Sequence, residues 1–193
     1  MLKYNKICFT GAQGTGKTTA LKVLQEDPDF KDFNFYTEVV RKMAADGEIK
    51  INKEGDSQSQ KILFDVYGEL LNKMRNEYAI SDRCIIDVAS YTLYLFDHSD
   101  PLNEDYNNLS QEVFREGRNI LQKKLDLSLL VYFPIEFEVV GDGVRSTDED
   151  FRKEVDLKIQ QLLQNYNIPH IIVTGTVEER VNKIKQSIGL ISE

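Results

Sequence analysis

A three-layer α/β sandwich, with one parallel sheet covered by helices on both faces, is the fold class this sequence predicts. Five short apolar runs alternate with stretches whose apolar residues recur at helical spacing, and that alternation is the pattern of a covered parallel sheet. A glycine-rich turn joins the first run to the first helical stretch. A strand, such a turn and a helix N-terminus in sequence make an anion site.

Ile7-Cys8-Phe9 reads as the first, buried strand, and Cys8 within it as a small core thiol. The next residues, Gly11-Ala12-Gln13-Gly14-Thr15-Gly16-Lys17-Thr18, fit G-x-x-x-x-G-K-S/T, the phosphate-binding P-loop. Glycines let backbone N–H groups turn inward around phosphate oxygens. In this pattern Lys17 reaches the β- and γ-phosphates and the Thr18 hydroxyl holds Mg²⁺. The expected nucleotide-binding set is therefore Gly11, Ala12, Gln13, Gly14, Thr15, Gly16, Lys17, Thr18 and Thr19, with ATP or GTP and Mg²⁺ as cofactors. Thr19 to Leu24 opens the following helix.

The remaining strands are Asn34-Phe35-Tyr36-Thr37, Tyr78-Ala79-Ile80-Ser81, Leu127 to Tyr132 and His170 to Thr174. Between them, Ile62, Leu63, Val66, Tyr67, Leu70, Leu71 and Met74 repeat at helix spacing, as do Val155, Ile159, Leu162, Leu163 and Tyr166. Ser57 with Gln60, Ser146 with Glu149, and Thr176 with Glu179 each have the form of a capping box. The chain reads as a single domain over residues 1–193.

Composition bounds the function. A net charge of −8 argues against broad tracking of a nucleic-acid backbone, which needs a basic surface. The two cysteines, Cys8 and Cys84, form neither a metal-ligand spacing nor a disulfide framework. No apolar run has the length of a membrane span, so the sequence reads as soluble and cytoplasmic. His98 and His170 are isolated and read as structural. Tyr91, Leu93, Tyr94 and Phe96 read mostly as core, with one ring available to stack on a base.

In a parallel α/β sheet the ligand lies beyond the carboxyl ends of the strands, and the polar candidates follow the strands accordingly. Glu38 and Arg41 follow the second. Glu38 is a candidate general base, or the group that fixes an acceptor hydroxyl, and otherwise a helix-start acid. Arg41 lies three residues on, to hold an acceptor or to pair with Glu38. Asp82 and Arg83 follow the third strand: Asp82 is placed as a Walker-B acid for Mg²⁺, and Arg83 suits bidentate phosphate binding. The sequence leaves the proton to either Glu38 or Asp82. Asp87, further along, is an acceptor contact or a plain surface carboxylate. After the fourth strand, a segment from about 141 to 152 reads as a lid whose Arg145 and Arg152 close over the transferring group, or pair with the local acids. The predicted catalytic set is thus Lys17, Glu38, Asp82, Arg83, Arg145 and Arg152, the acceptor set Glu38, Arg41, Arg83 and Asp87, and the metal set Thr18 and Asp82.

These residues together resemble the P-loop kinase superfamily, and within it the NadR-like, AAA-type ATPase/kinase family, over nearly the whole chain. The more particular motifs are Glu38-Val39-Val40-Arg41, Asp82-Arg83 with Asp87 and Tyr91, and Asp142-Gly143-Val144-Arg145 followed by Arg152. The resemblance implies a nucleoside-kinase-like core with sheet order 2-3-1-4-5, a lid and an acceptor pocket. It implies that Glu38 acts near the acceptor hydroxyl and Asp82-Arg83 near Mg²⁺ and phosphate. Three functions fit the sequence: phosphate transfer to a nucleoside, nucleotide or related small molecule; a kinase acting on nucleic acid, which the net charge disfavours; and a nucleotide-dependent switch bound to a protein partner, in which the pocket behind Glu38 would be closed.

Overall fold

The computed structural model of the chain describes residues 2–100, 102, 104–105, 107–109, 111–112, 115, 128–138 and 148–191. Five strands form one parallel sheet: β1 (Lys6–Thr10), β2 (Asn34–Tyr36), β3 (Ala79–Ser81), β4 (Ser128–Tyr132) and β5 (Ile171–Ile172). Their order across the sheet is β2-β3-β1-β4-β5, the order the resemblance implied. Between and after them lie α1 (Lys17–Glu26), α2 (Val39–Ala45), α3 (Ser57–Lys73), α4 (Ile85–Asp97), α5 (Glu149–Asn165) and α6 (Val177–Ile188).

Side chains alternate across a strand, and the alternation assigns the two cores. Ile7 and Phe9 of β1 with Leu129 and Val131 of β4 face one side, where Ala20, Leu21 and Leu24 of α1 and Val181, Ile184 and Ile188 of α6 cover them. Cys8, Leu130 and Tyr132 face the other side, against α3, α4 and α5. β1 is central and all five of its residues are buried. Cys8 is fully buried, and burial pushes its thiol up to about 12. Register aligns Lys6 with Ala79 of β3 and with Ser128 of β4, so the carboxyl ends of the inner strands reach one edge together.

The helix starts differ from the sequence reading at two places. Asp56, one residue ahead of Ser57, caps α3 by accepting the Ser59 N–H at 2.9 Å. Asp148 caps α5 by accepting the Phe151 N–H at 2.9 Å, and Ser146 lies outside the described residues. An ionised carboxylate is the stronger acceptor for helix N–H groups in each case. The Thr176–Glu179 box caps α6 as expected. Among the described residues no helix is long and apolar enough to cross a membrane.

Candidate active site

The P-loop spans the gap between β1 and α1 and is held from every side. Gly11 approaches the end of β4 so closely that a Cβ there would stand 2.4 Å from the Phe133 carbonyl oxygen. Its N–H donates to Asp87 Oδ1 at 3.4 Å. The Lys17 ammonium donates to the Gly11 and Ala12 carbonyls at 2.5 and 2.7 Å and to Thr15 Oγ1 at 3.3 Å. Gly16, at φ 90°, is the left-handed residue that turns the loop into α1, and a side chain there would collide with Arg180.

An open cleft of about 1050 Å³, counting the space at its mouth, begins at this loop. Gln13 to Thr19 line one end. Glu38 to Arg41, Lys50 to Asn52, Gln60, Leu63, Tyr67, Asp82, Arg83, Asp87, Val88 and Tyr91 line the rest. The structure therefore brings together Thr18, Glu38, Arg41, Asp82, Arg83 and Asp87, all predicted from sequence, around one space.

Glu38 sits at the start of α2 with φ 61° and ψ 16°. A non-glycine residue in that region is strained by about 1–2 kcal/mol. Arg41 Nε lies 3.4 Å from its carboxylate, with both side chains about a third exposed. Asp82 directly follows β3, and its N–H donates to the carbonyl of Tyr36, the last residue of β2, at 3.0 Å.

Asp87 is only 2% exposed, so its reading as a surface carboxylate is corrected. Its Oδ2 accepts the Cys84 N–H at 3.0 Å, and Arg83 Nη1 lies 3.5 Å from Oδ1. It thus closes the first turn of α4 and ties that helix to the P-loop. Burial pushes its carboxyl above the ordinary value, against the pull of Arg83 and Lys17. Arg83 also lies over the Tyr91 ring, 5.5 Å from its centroid.

Arg152, expected to close over the transferring group or to pair with the local acids, is 1% exposed, does not line the cleft, and pairs with Glu149. Its Nε donates to the Gln13 carbonyl at 2.9 Å, Nη2 to the Gly14 carbonyl at 3.4 Å, and Nη1 to Glu149 at 3.0 Å. Arg145, and residues 141–147 of the expected lid, lie outside the described residues.

Four polar cleft residues escaped the sequence reading as site residues: Lys50, Asn52, Gln60 and Tyr67. Gln60 is 3% exposed, and its amide lies 3.3 Å from the Thr92 hydroxyl, which donates to the Val88 carbonyl at 2.8 Å. Gln60 falls on the buried stripe of α3 with Leu63, Phe64, Tyr67 and Leu71, and an amide on such a stripe is the signal that marks it. Asn52, like Glu38, has a positive φ, 59°.

The donor set bears on the metal. Among the described residues no three His, Cys, Asp or Glu side chains cluster into a site of their own. The expected pair, the Thr18 hydroxyl and the Asp82 carboxylate, both line the cleft. That sparse oxygen set suits Mg²⁺, which keeps waters and shares substrate phosphates.

A family described as an AAA domain matches residues 6–180. The chain belongs to that family. No curated protein matches this AAA-domain chain in sequence. In structure it is similar to deoxyadenosine kinase from M. mycoides, at TM-score 0.66 and 16% identity over 96% of this chain and 100% of that one. It is similar to the NadR protein in complex with NR, at TM-score 0.67 and 17% identity. That match covers 97% of this chain and 52% of the other, so the chain spans about half of NadR. Thymidylate kinase from Candida albicans gives TM-score 0.63 and 15% identity over 96% and 91%. The likeness is one of fold, and it bears out the P-loop, NadR-like reading of the sequence.

Proposed function

We propose that the protein is an ATP- or GTP-dependent phosphotransferase acting on a hydroxyl or phosphate of a nucleoside, nucleotide or related small molecule. The single observation that carries this is the continuity of the cleft. It runs from the P-loop past Glu38 to Gln60, Leu63 and Tyr67 without closing. A protein-bound switch has no use for that second compartment. A phosphotransferase needs it for the acceptor.

The acceptor compartment suits a flat ring with a polar edge. Leu63, Val88 and the Tyr67 and Tyr91 rings supply apolar surface, and the buried Gln60 amide supplies donors and an acceptor. The structural neighbours include proteins that hold dATP, dCTP and NR. Small planar acceptors are the class the walls fit.

In this reading the acceptor oxygen attacks the γ-phosphorus in line. The new O–P bond forms as the bond from γ-phosphorus to the β,γ-bridging oxygen breaks, and the nucleoside diphosphate leaves. Glu38, at the cleft wall, takes the acceptor proton. Lys17 and Arg83 offset the charge spread over the transferring group. Thr18 and Asp82 would hold Mg²⁺, which supplies further charge neutralisation when bound.

The test is a screen of nucleosides and mononucleotides with γ-labelled ATP and GTP. Transfer of label to one acceptor class is expected, and Lys17→Ala should reduce it by about 10²-fold or more. The reading is overturned if no acceptor is labelled while a protein partner stimulates simple hydrolysis.

A further inference from the structure

The carbonyls of the P-loop can be accounted for one by one. Gly11 and Ala12 are held by Lys17. Gln13 and Gly14 are held by Arg152 of α5. Thr15 accepts Arg180 Nη1 of α6 at 2.7 Å, and Gly16 accepts the Ala20 N–H at 3.0 Å. Arg180 is itself 3% exposed and fixed on three sides. Its Nε donates to the Gly175 carbonyl at 3.0 Å, its Nη2 is paired with Glu136, and its guanidinium lies against Phe133 and Phe137. Glu136 in turn accepts the Gly175 N–H at 3.1 Å, which joins the segment after β4 to the one after β5.

A trans peptide points its C=O and the following N–H in opposite directions. Holding the carbonyls of Gln13, Gly14 and Thr15 on the outside therefore turns the N–H groups of Gly14, Thr15 and Gly16 to the opposite side. Those three residues line the cleft. We infer that Arg180 and Arg152 are positioning residues, which grip the outer carbonyls of the P-loop so that its amides are set for a polyphosphate before one arrives. They touch no reacting atom. Each arginine reaches across from a different helix, and each is desolvated, so the grip is rigid and water does not compete for the carbonyls. In this account Arg152 acts from behind the loop, where its guanidinium is already committed to two carbonyls and Glu149.

The inference rests on the proposed nucleotide-binding reading, and its test separates the two. Calorimetry with Mg²⁺ would measure ATP and inorganic tripolyphosphate on the wild type, Arg180→Gln, Arg180→Lys and Glu136→Gln, with a thermal melt of each. Tripolyphosphate has no base, so it reports on the amide cradle alone. Arg180→Gln should weaken both ligands by about tenfold or more. Arg180→Lys should recover part of the loss, because an ammonium still reaches one carbonyl. Glu136→Gln, which releases Arg180 while leaving a neutral acceptor for Gly175, should weaken both by about threefold. It reads the grip even if Arg180→Gln does not fold. Wild-type binding with no loss in a folded Arg180→Gln, or in Glu136→Gln, overturns the inference. A wild type that binds neither ligand overturns the nucleotide-binding reading instead.

Discussion

Glu38 is strained in its backbone and is the proposed proton acceptor, and a pair of substitutions separates the two. At an ordinary position glycine is less stable than alanine by about 0.5–1 kcal/mol. At φ 61° the preference should reverse, because alanine keeps the Cβ clash and glycine removes it. Glu38→Gly is therefore expected to be more stable than Glu38→Ala by about 1 kcal/mol in chemical denaturation. Both should lose phosphate transfer by about 10²-fold or more, since neither has a group to take the proton. A glycine variant no more stable than the alanine variant would show that the backbone there is relaxed. At this scale the sequence was legible where residues sit beside a motif. Lys17, Thr18, Asp82 and Arg83 follow strand ends and line the cleft together. Gln60 and Arg180 were not found, although each lies on the apolar stripe of its helix, Arg180 with Ile184 and Ile188. A polar residue there is buried by the fold, and only assembly of the helices shows what it faces.

Helix starts show the same limit one level up. The Thr176–Glu179 box was readable because all of its partners are local. At α3 the sequence offers Asp56 and Ser57 side by side, and propensity alone separates them poorly. Asp56 wins, and it also pairs with Lys50 at 2.9 Å, a residue of the cleft wall. The cap thus joins α3 to the acceptor compartment. Ser59 and then Lys50 pull its carboxyl down to about 2. A depressed carboxylate stabilises the fold at pH values above its ordinary 3.8, and that contribution is lost as pH falls through the folded value near 2. Asp56→Asn keeps a cap acceptor that does not titrate. The stability difference between wild type and Asp56→Asn should be constant above about pH 5 and shrink as pH falls towards 2. Asp56→Ala should cost about 1 kcal/mol at neutral pH. A difference between wild type and Asp56→Asn that stays flat from pH 5 to 2 would remove Asp56 from the acid response.

Across the whole molecule, the covered parallel sheet and the side on which the site lies follow from the alternation of strands and helices, while the sheet order came with the family resemblance; together they let the fold be read before the walls of the acceptor compartment. The charge distribution then selects among the functions the fold permits. The described cleft is lined by four cationic residues, Lys17, Arg41, Lys50 and Arg83, and three carboxylates, Glu38, Asp82 and Asp87. Four minus three is a balance of +1, in a chain whose total is −8. A small anion that enters the cleft meets the local balance. A nucleic acid extends well past it, and beyond a Debye length of about 8 Å at physiological salt each added phosphate gains little from the cleft. It also meets an acidic exterior. A fluorescent single strand of about twenty nucleotides is therefore expected to show no anisotropy change at about 0.15 M salt, under conditions in which Mg-ATP gives heat. The opposite result, oligonucleotide affinity falling with salt at a slope of about −0.7 per neutralised phosphate, would move the acceptor from a small molecule to a strand end.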